Sequence, residues 1–154
     1  LTGGGIANSF LKAKGADVGG SLATSDESIL EELKSLMDKY KGKIILPVDF
    51  TIDDGIIYDI GSKSLELYKK YINQSEIIFV NGTCGKFEDD RFIEGTSGLF
   101  KILKESNKRV IVGGGDTVSA AKKFGFSFDF MSSGGGATLE YIADGTLAAL
   151  EWME

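Results

Sequence analysis

The chain has 154 residues, 42% hydrophobic and 26% charged, which suffices for one globular domain with a core. Its net charge is −6 and no Lys/Arg block occurs, so a grip on a nucleic-acid backbone is excluded. Histidine is absent, which removes Ser-His-Asp and Cys-His catalysis and His-ligated metal sites.

The lone cysteine, Cys84, allows neither an intrachain disulfide nor a zinc site and suits a reducing compartment, so a cytoplasmic location is expected. No apolar run approaches the roughly 20 residues that span a bilayer, and no membrane association is expected. Glycine is unusual at 21 residues, about twice the common ~7%, while proline occurs once, at Pro47.

The chain opens "LTGGG", which reads as the end of a strand and a loop, so it is expected to start inside a larger protein. "IANSFLKAKG" predicts a short helix with Ile6, Phe10 and Leu11 inward and Gly15 ending it. "TSDESILEELKSLMDKYKG" predicts a longer one, with Thr24 and Glu27 as a capping box and Gly42 closing it. Ile29, Leu33, Leu36 and Met37 make its apolar stripe.

"KIILPVDF" predicts a strand with Pro47 at its end or edge, and "TIDDGIIYDIG" a turn before another extended piece. "SKSLELYKKYIN" predicts a helix with Leu65, Tyr68 and Ile72 on one face. Then come a strand "EIIFV", a helix over 87–106 with a break near Gly95, and a strand "RVIVG". A helix "DTVSAAKKFG", a strand "FSFDFMS" and one or two helices over 137–154 complete the chain.

These strands are continuously apolar rather than alternating, the pattern of a parallel sheet covered on both faces. The expected fold is therefore α/β, a doubly wound, Rossmann-like, mostly parallel sheet forming a single domain over residues 1–154.

Glycine triplets stand at residues 3–5, 113–115 and 134–136, each where a strand runs into a helix, and "NGTCG" marks a fourth join. In such sheets ligands bind beyond the carboxyl ends of the strands. Glycine there removes the Cβ and lets a ligand approach the backbone, and a following helix offers free N–H groups suited to phosphate. The other reading of each triplet is a tight turn. Neither G-x-x-x-x-G-K-[ST] nor G-x-G-x-x-G is present, which disfavours a Walker-type NTPase and a dinucleotide dehydrogenase.

In "GGGDT", Asp116 either caps the helix or holds Mg²⁺, with Thr117 meeting a phosphate. Glu88 either accepts from ribose hydroxyls or faces water at a helix start, and Phe87 belongs partly to the core. Asp49 is either a structural acid at a strand end or a site residue.

"GGGIANSFLKAKG", "LPVDF", "YDIGSKS", "NGTCGKFE", "GGGDT" and "SSGGGATLEYI" occur in the order and spacing of the C-terminal domain of phosphoglycerate kinases, which this chain resembles over nearly its whole length. The resemblance implies a nucleotide-binding domain that transfers a phosphoryl group reversibly between 1,3-bisphosphoglycerate and Mg-ADP, giving 3-phosphoglycerate and ATP in glycolysis.

By that resemblance Gly4 and Gly5 lie against the adenine, with Ile57 and Tyr58 on its other wall. Gly82, Phe87 and Glu88 frame the ribose, and Asn81 sits near the phosphates. Gly114, Gly115 and Thr117 contact the phosphate chain, and Asp116 ligates Mg²⁺. Gly135 and Gly136, with Gly115, aim amides at the phosphoryl group in flight.

The chain departs from the family at Thr83 and Cys84, where a proline and an aliphatic residue are usual, and at Lys86, where an apolar one is. It also lacks a histidine before the last serines and glycines. The family's lysine-bearing opening segment and its N-terminal domain, which binds the phosphoglycerate, would lie upstream of Leu1. The fragment alone is then expected to be inactive, to bind nucleotide weakly and to self-associate, while the parent is expected to be monomeric. The alternatives are a non-catalytic nucleotide- or phosphometabolite-binding module, and a structural α/β domain whose glycines serve turns.

Overall fold

The computed structural model describes residues 1–145. In chain order it contains α1 (Gly4–Ala13), α2 (Glu27–Lys39), β1 (Phe50–Asp53), β2 (Ile56–Ile60), α3 (Ser62–Gln74) and β3 (Ile77–Asn81). A 3₁₀ turn (Asp90–Phe92) then leads to α4 (Glu94–Glu105), β4 (Arg109–Gly113), α5 (Gly115–Lys123), β5 (Phe130–Ser132) and α6 (Gly135–Asp144). Strands β3, β4 and β5 form a parallel sheet in that order, flanked by helices, as the apolar strands and alternating pattern require. Strands β1 and β2 form a separate antiparallel hairpin.

The core gathers around the central strand β4, whose Val110 and Val112 are buried. Tyr68 and Ile72 of α3, Phe100 and Leu103 of α4, and Ala120 and Ala121 of α5 pack into the same cluster. Phe100 is fully enclosed, with ring centroids of Phe128, Phe126 and Phe124 at 5.5, 5.9 and 6.5 Å.

Several local expectations give way to competing hydrogen bonds. The cap of α2 is Asp26, not Thr24: Asp26 accepts from the Ser28 N–H at 2.9 Å and the Ser28 hydroxyl at 2.6 Å. The inward faces also shift. Ile6 and Ile29 are exposed, whereas Ala7, Asn8, Phe10 and Ala13 carry the buried face of α1.

Residues 44–49 do not form a strand. Pro47 has no donor, and the Val48 and Asp49 N–H groups both go to the Ser64 hydroxyl, at 2.9 and 3.0 Å, instead of a ladder. The strand expected over 126–132 is confined to Phe130–Ser132, because the Asp129 carboxylate takes the Val110 N–H at 2.8 Å. Phe124, Phe126 and Phe128 alternate around Phe100 from the preceding loop. The helix expected over 87–106 starts only at Glu94, after the 3₁₀ turn. Helix α6 ends at a left-handed Gly145, and the second terminal helix expected from the sequence lies outside the described residues.

Among the described residues no helix is long and apolar enough to cross a membrane.

Candidate functional site

Strand register determines where the glycine joins fall. Asn81 of β3 lies beside Gly113 of β4, and Gly113 beside Ser132 of β5, so three strands end level with one another. Their connections into the following segments therefore converge on one rim. The Gly114 N–H donates to the Ser132 carbonyl at 2.9 Å, and the Gly82 N–H to the Thr117 hydroxyl at 2.7 Å. A Cβ on Gly135 would stand 2.7 Å from the Gly114 Cα. The triplet at residues 3–5 joins the same rim, since the Gly4 N–H donates to the Cys84 carbonyl at 2.9 Å.

Glycine is required at Gly114. Its φ is +95°, and a Cβ would lie 2.7 Å from the Asn81 Oδ1. That backbone geometry starts α5 immediately, leaving the amides of its first turn without intrahelical acceptors. Asp116 sits in this turn with its side chain exposed, making neither a cap hydrogen bond nor an ion pair among the described residues. The capping alternative for Asp116 is thus not what the structure shows.

Beside this turn opens a cleft of about 330 Å³. Of the residues singled out from sequence, Gly4, Gly5, Ile57, Tyr58, Phe87, Glu88 and Asp116 all line it. Leu22, Phe50 and Ile56 extend its apolar wall, while Lys86, Glu88 and Asp116 supply its charges. Phe87 both lines the cleft and belongs to the core; Glu88 is exposed.

The other predicted residues stand around the rim rather than in the cleft. Asn81 donates from its amide to the Gly135 carbonyl at 3.4 Å, bridging two joins. Thr117 is fully buried, so its hydroxyl ties α5 to Gly82 instead of facing the cleft. Gly135 spends its N–H on the Ser133 carbonyl at 3.0 Å; Gly136, next in α6, is exposed. Hence, of the amides expected to point outward at that helix start, Gly135 is committed elsewhere.

Two aspartates, Asp59 buried and Asp49 half-buried, act in the frame around the cleft. Asp59 of β2 is 1% exposed, and its carboxylate accepts from the Gly95 N–H at 2.6 Å and the Ile60 N–H at 2.9 Å. Burial pushes its carboxyl up to about 6, against the lowering effect of both donors, and Glu94 adds to the rise. A Cβ built on either Gly85 or Gly95 would collide with this carboxylate.

Asp49 closes the other question left by the sequence: it is a structural acid. Its carboxylate caps α3 across 15 residues of chain, accepting from the Ser64 N–H at 2.7 Å and hydroxyl at 2.6 Å and the Lys63 N–H at 3.0 Å. Partial burial raises its carboxyl, but these donors and the Lys63 charge outweigh it and hold it below the usual range.

Aromatic and ionic contacts brace the outer wall. The Tyr58 ring stacks on Phe92 at 4.4 Å, with the Lys86 ammonium 5.4 Å above the Tyr58 ring. Lys123 donates to the Phe87 carbonyl at 2.9 Å and pairs with Asp90 at 2.8 Å, holding the segment that carries Glu88. Arg91 hydrogen-bonds and pairs with Asp89, which takes that carboxyl down to about 2. Cys84 also lines the cleft, and its thiol, buried in the core, is pushed up by that burial.

Asp59, Gly85 and Gly95 escape a sequence reading, although one signal was present. An aspartate set between Tyr58 and Ile60 in the apolar run "IIYDIG" needs a polar partner once that run is buried.

Fold and cleft together define an α/β protein whose ligand crevice lies at the carboxyl ends of a parallel sheet, rimmed by glycine-rich turns. The chain belongs to the phosphoglycerate kinase family: the family model described as phosphoglycerate kinase matches residues 1–145. It is 37% identical over 172 residues to a phosphoglycerate kinase of Corynebacterium kroppenstedtii, covering 96% of this chain and 42% of that one. With the protein of the same name from Aquifex aeolicus it shares 39% over 170 residues, covering 96% and 43%. The solved phosphoglycerate kinase of Coxiella burnetii superposes with a TM-score of 0.84 at 32% identity, over 97% of this chain and 44% of that chain. This chain thus spans about two fifths of the length of the relatives it matches.

Proposed function

We propose that this chain is the nucleotide-binding part of a phosphoglycerate kinase, taking Mg-ADP or Mg-ATP for reversible phosphoryl transfer with 1,3-bisphosphoglycerate and 3-phosphoglycerate in glycolysis. The supporting observation is the Asp116 carboxylate, without a hydrogen bond or ion pair among the described residues and set in the first turn of α5 at the end of an apolar cleft. An apolar slot between Gly4–Gly5 and Ile57–Tyr58 suits a flat base, and Glu88 at the mouth suits ribose hydroxyls. The amides of Gly115 and its successors suit a phosphate chain.

The donor set fits a magnesium ion carried by the nucleotide. No group of three His, Cys, Asp or Glu side chains converges among the described residues, so Asp116 would be a single protein ligand. Mg²⁺ commonly takes one or two carboxylates and fills its shell with phosphate oxygens and water. When bound, it neutralises charge on the phosphates.

The chain's own residues then position rather than react. Phosphoryl transfer makes a bond from a terminal phosphate oxygen of ADP to phosphorus and breaks the acyl-phosphate bond, releasing a carboxylate. Backbone amides at Gly115 and Gly136 would hold the oxygens of the group in flight. The triose would be held by protein outside these 154 residues, as the two-fifths coverage of the relatives suggests, so the chain alone binds without turnover. A cytoplasmic, monomeric parent fits this reading.

Calorimetry with Mg-ADP tests it. Binding is expected, and Asp116→Asn is expected to weaken it about tenfold or more while leaving stability within about 0.5 kcal/mol, since the side chain is exposed and unpaired. Undetectable binding at millimolar nucleotide, or an unchanged affinity in the variant, refutes the assignment.

A further inference from the structure

We infer that the ionised carboxylate of Asp59 is a positioning residue, which holds the Gly85–Glu88 wall of the cleft in its ligand-taking shape without touching the ligand. Three elements meet on this one side chain. It extends from β2, takes the Gly95 N–H at the start of α4, and lies where a Cβ on Gly85 or Gly95 would collide with it. Its own strand completes the clamp, since the Tyr58 carbonyl receives the Lys86 N–H at 2.8 Å. Next to it the Cys84 N–H is fixed by the buried Thr96 hydroxyl at 3.1 Å.

Both carboxylate oxygens receive backbone N–H groups, one from Ile60 and one from Gly95. Only the ionised form accepts fully at both. A protonated or amide side chain turns a donor toward one of them, and in a space without room for a Cβ the loop beside it must move. An apolar residue here would leave the Ile60 and Gly95 N–H groups without acceptors, so the carboxylate is accounted for by the geometry it enforces.

Titrating neighbours are Glu94 at the head of α4 and the Cys84 thiol in the loop, with Tyr68 behind Cys84. Burial pushes both the thiol and the phenol up, so neither changes charge in mildly acidic solution. Glu94→Gln is the control for the remaining one.

The claim rests on the nucleotide reading above, yet its first test is independent of any ligand. In the free 154-residue chain, the amide resonances of Gly95, Gly85 and Lys86 are followed by NMR from pH 7.5 to 5. A shared transition near pH 6 is expected in the wild type and in Glu94→Gln, and none in Asp59→Asn. Mg-ADP affinity is then compared across the same range. The wild type is expected to bind about tenfold more tightly than Asp59→Asn at pH 7.5, a ratio shrinking toward one at pH 5. Ionisation of the nucleotide itself is common to both proteins and cancels in the ratio.

If Gly95 titrates while Gly85 and Lys86 stay still, or if the affinity ratio is constant with pH, Asp59 is merely structural and the inference falls. Should Asp59→Asn fail to fold, the wild-type amide titration alone decides. If no nucleotide binds at all, the functional assignment fails while the amide transition still reports whether Asp59 holds the wall.

Discussion

Gly95→Ala gives the most direct check on how the cleft is framed. Gly95 is the second residue of α4, in ordinary helical backbone, so alanine there would by itself favour the helix by roughly 0.5–1 kcal/mol. The structure predicts the opposite sign. The new Cβ would overlap the Asp59 carboxylate, a group enclosed on all sides and hydrogen-bonded to the Gly95 N–H at 2.6 Å. Displacing it costs roughly 1.5–3 kcal/mol for a hydrogen bond to a buried charge, and about 1–3 kcal/mol for overpacking. The net expectation is a loss of about 2–5 kcal/mol, a large share of the roughly 5–15 kcal/mol that holds a domain together. Urea denaturation of wild type, Gly95→Ala, Asp59→Ala and the double variant completes a thermodynamic cycle. With the carboxylate gone, the alanine should cost little or become favourable, giving a coupling of about 2 kcal/mol or more. A neutral or stabilising Gly95→Ala in the wild-type background would show that Asp59 is not confined as described, and the reasoning about the cleft wall would be wrong.

Stability should also depend on pH in a direction unusual for an aspartate. The Asp59 carboxyl titrates at about 6 when folded and near 3.8 when unfolded, so the folded state binds the extra proton between those values. Lowering pH from 7 through 6 toward 4 should therefore stabilise the chain by up to about 3 kcal/mol, and Asp59→Asn should abolish the gain; a wild type that only weakens over this range contradicts the assignment. Below about pH 4 the sign reverses, because Asp89, Asp49 and Asp26 have carboxyls lowered in the fold and lose their donors' stabilisation on protonation. Cys84, buried with its thiol pushed up, should react with a disulfide reagent at least about a hundredfold more slowly in the native chain than in urea; fast native labelling would place it at an accessible surface.

Local chemistry made much of the architecture readable in advance. Strands β3 and β4 declare themselves as unbroken apolar runs, α3 as a 3.6-residue stripe of Leu65, Tyr68 and Ile72, and the joins as glycine beside a helix start. These signals need only neighbours along the chain. The same holds for the exposed, unpaired Asp116, whose place in the first turn after "GGG" follows from sequence order. That the glycine joins share one rim needed the level ends of Asn81, Gly113 and Ser132 in a parallel register, and the Gly4 N–H on the Cys84 carbonyl to bring in the first triplet.

Partners far apart in sequence were decided only by the fold. Asp49 became the cap of α3 because Ser64 and Lys63 arrive beside it, and that capture turned residues 44–49 from an expected strand into irregular chain. Thr117 turned inward because the Gly82 N–H needed an acceptor, and β5 shortened because Asp129 found Val110. Asp59 was silent for the same reason, since Gly85 and Gly95 lie 26 and 36 residues along the chain and only packing brings them against its carboxylate. Periodicity and turn chemistry are short-range and could be read from residue order. A buried polar group must instead find whatever partner the completed core presents, and that choice belongs to the tertiary structure.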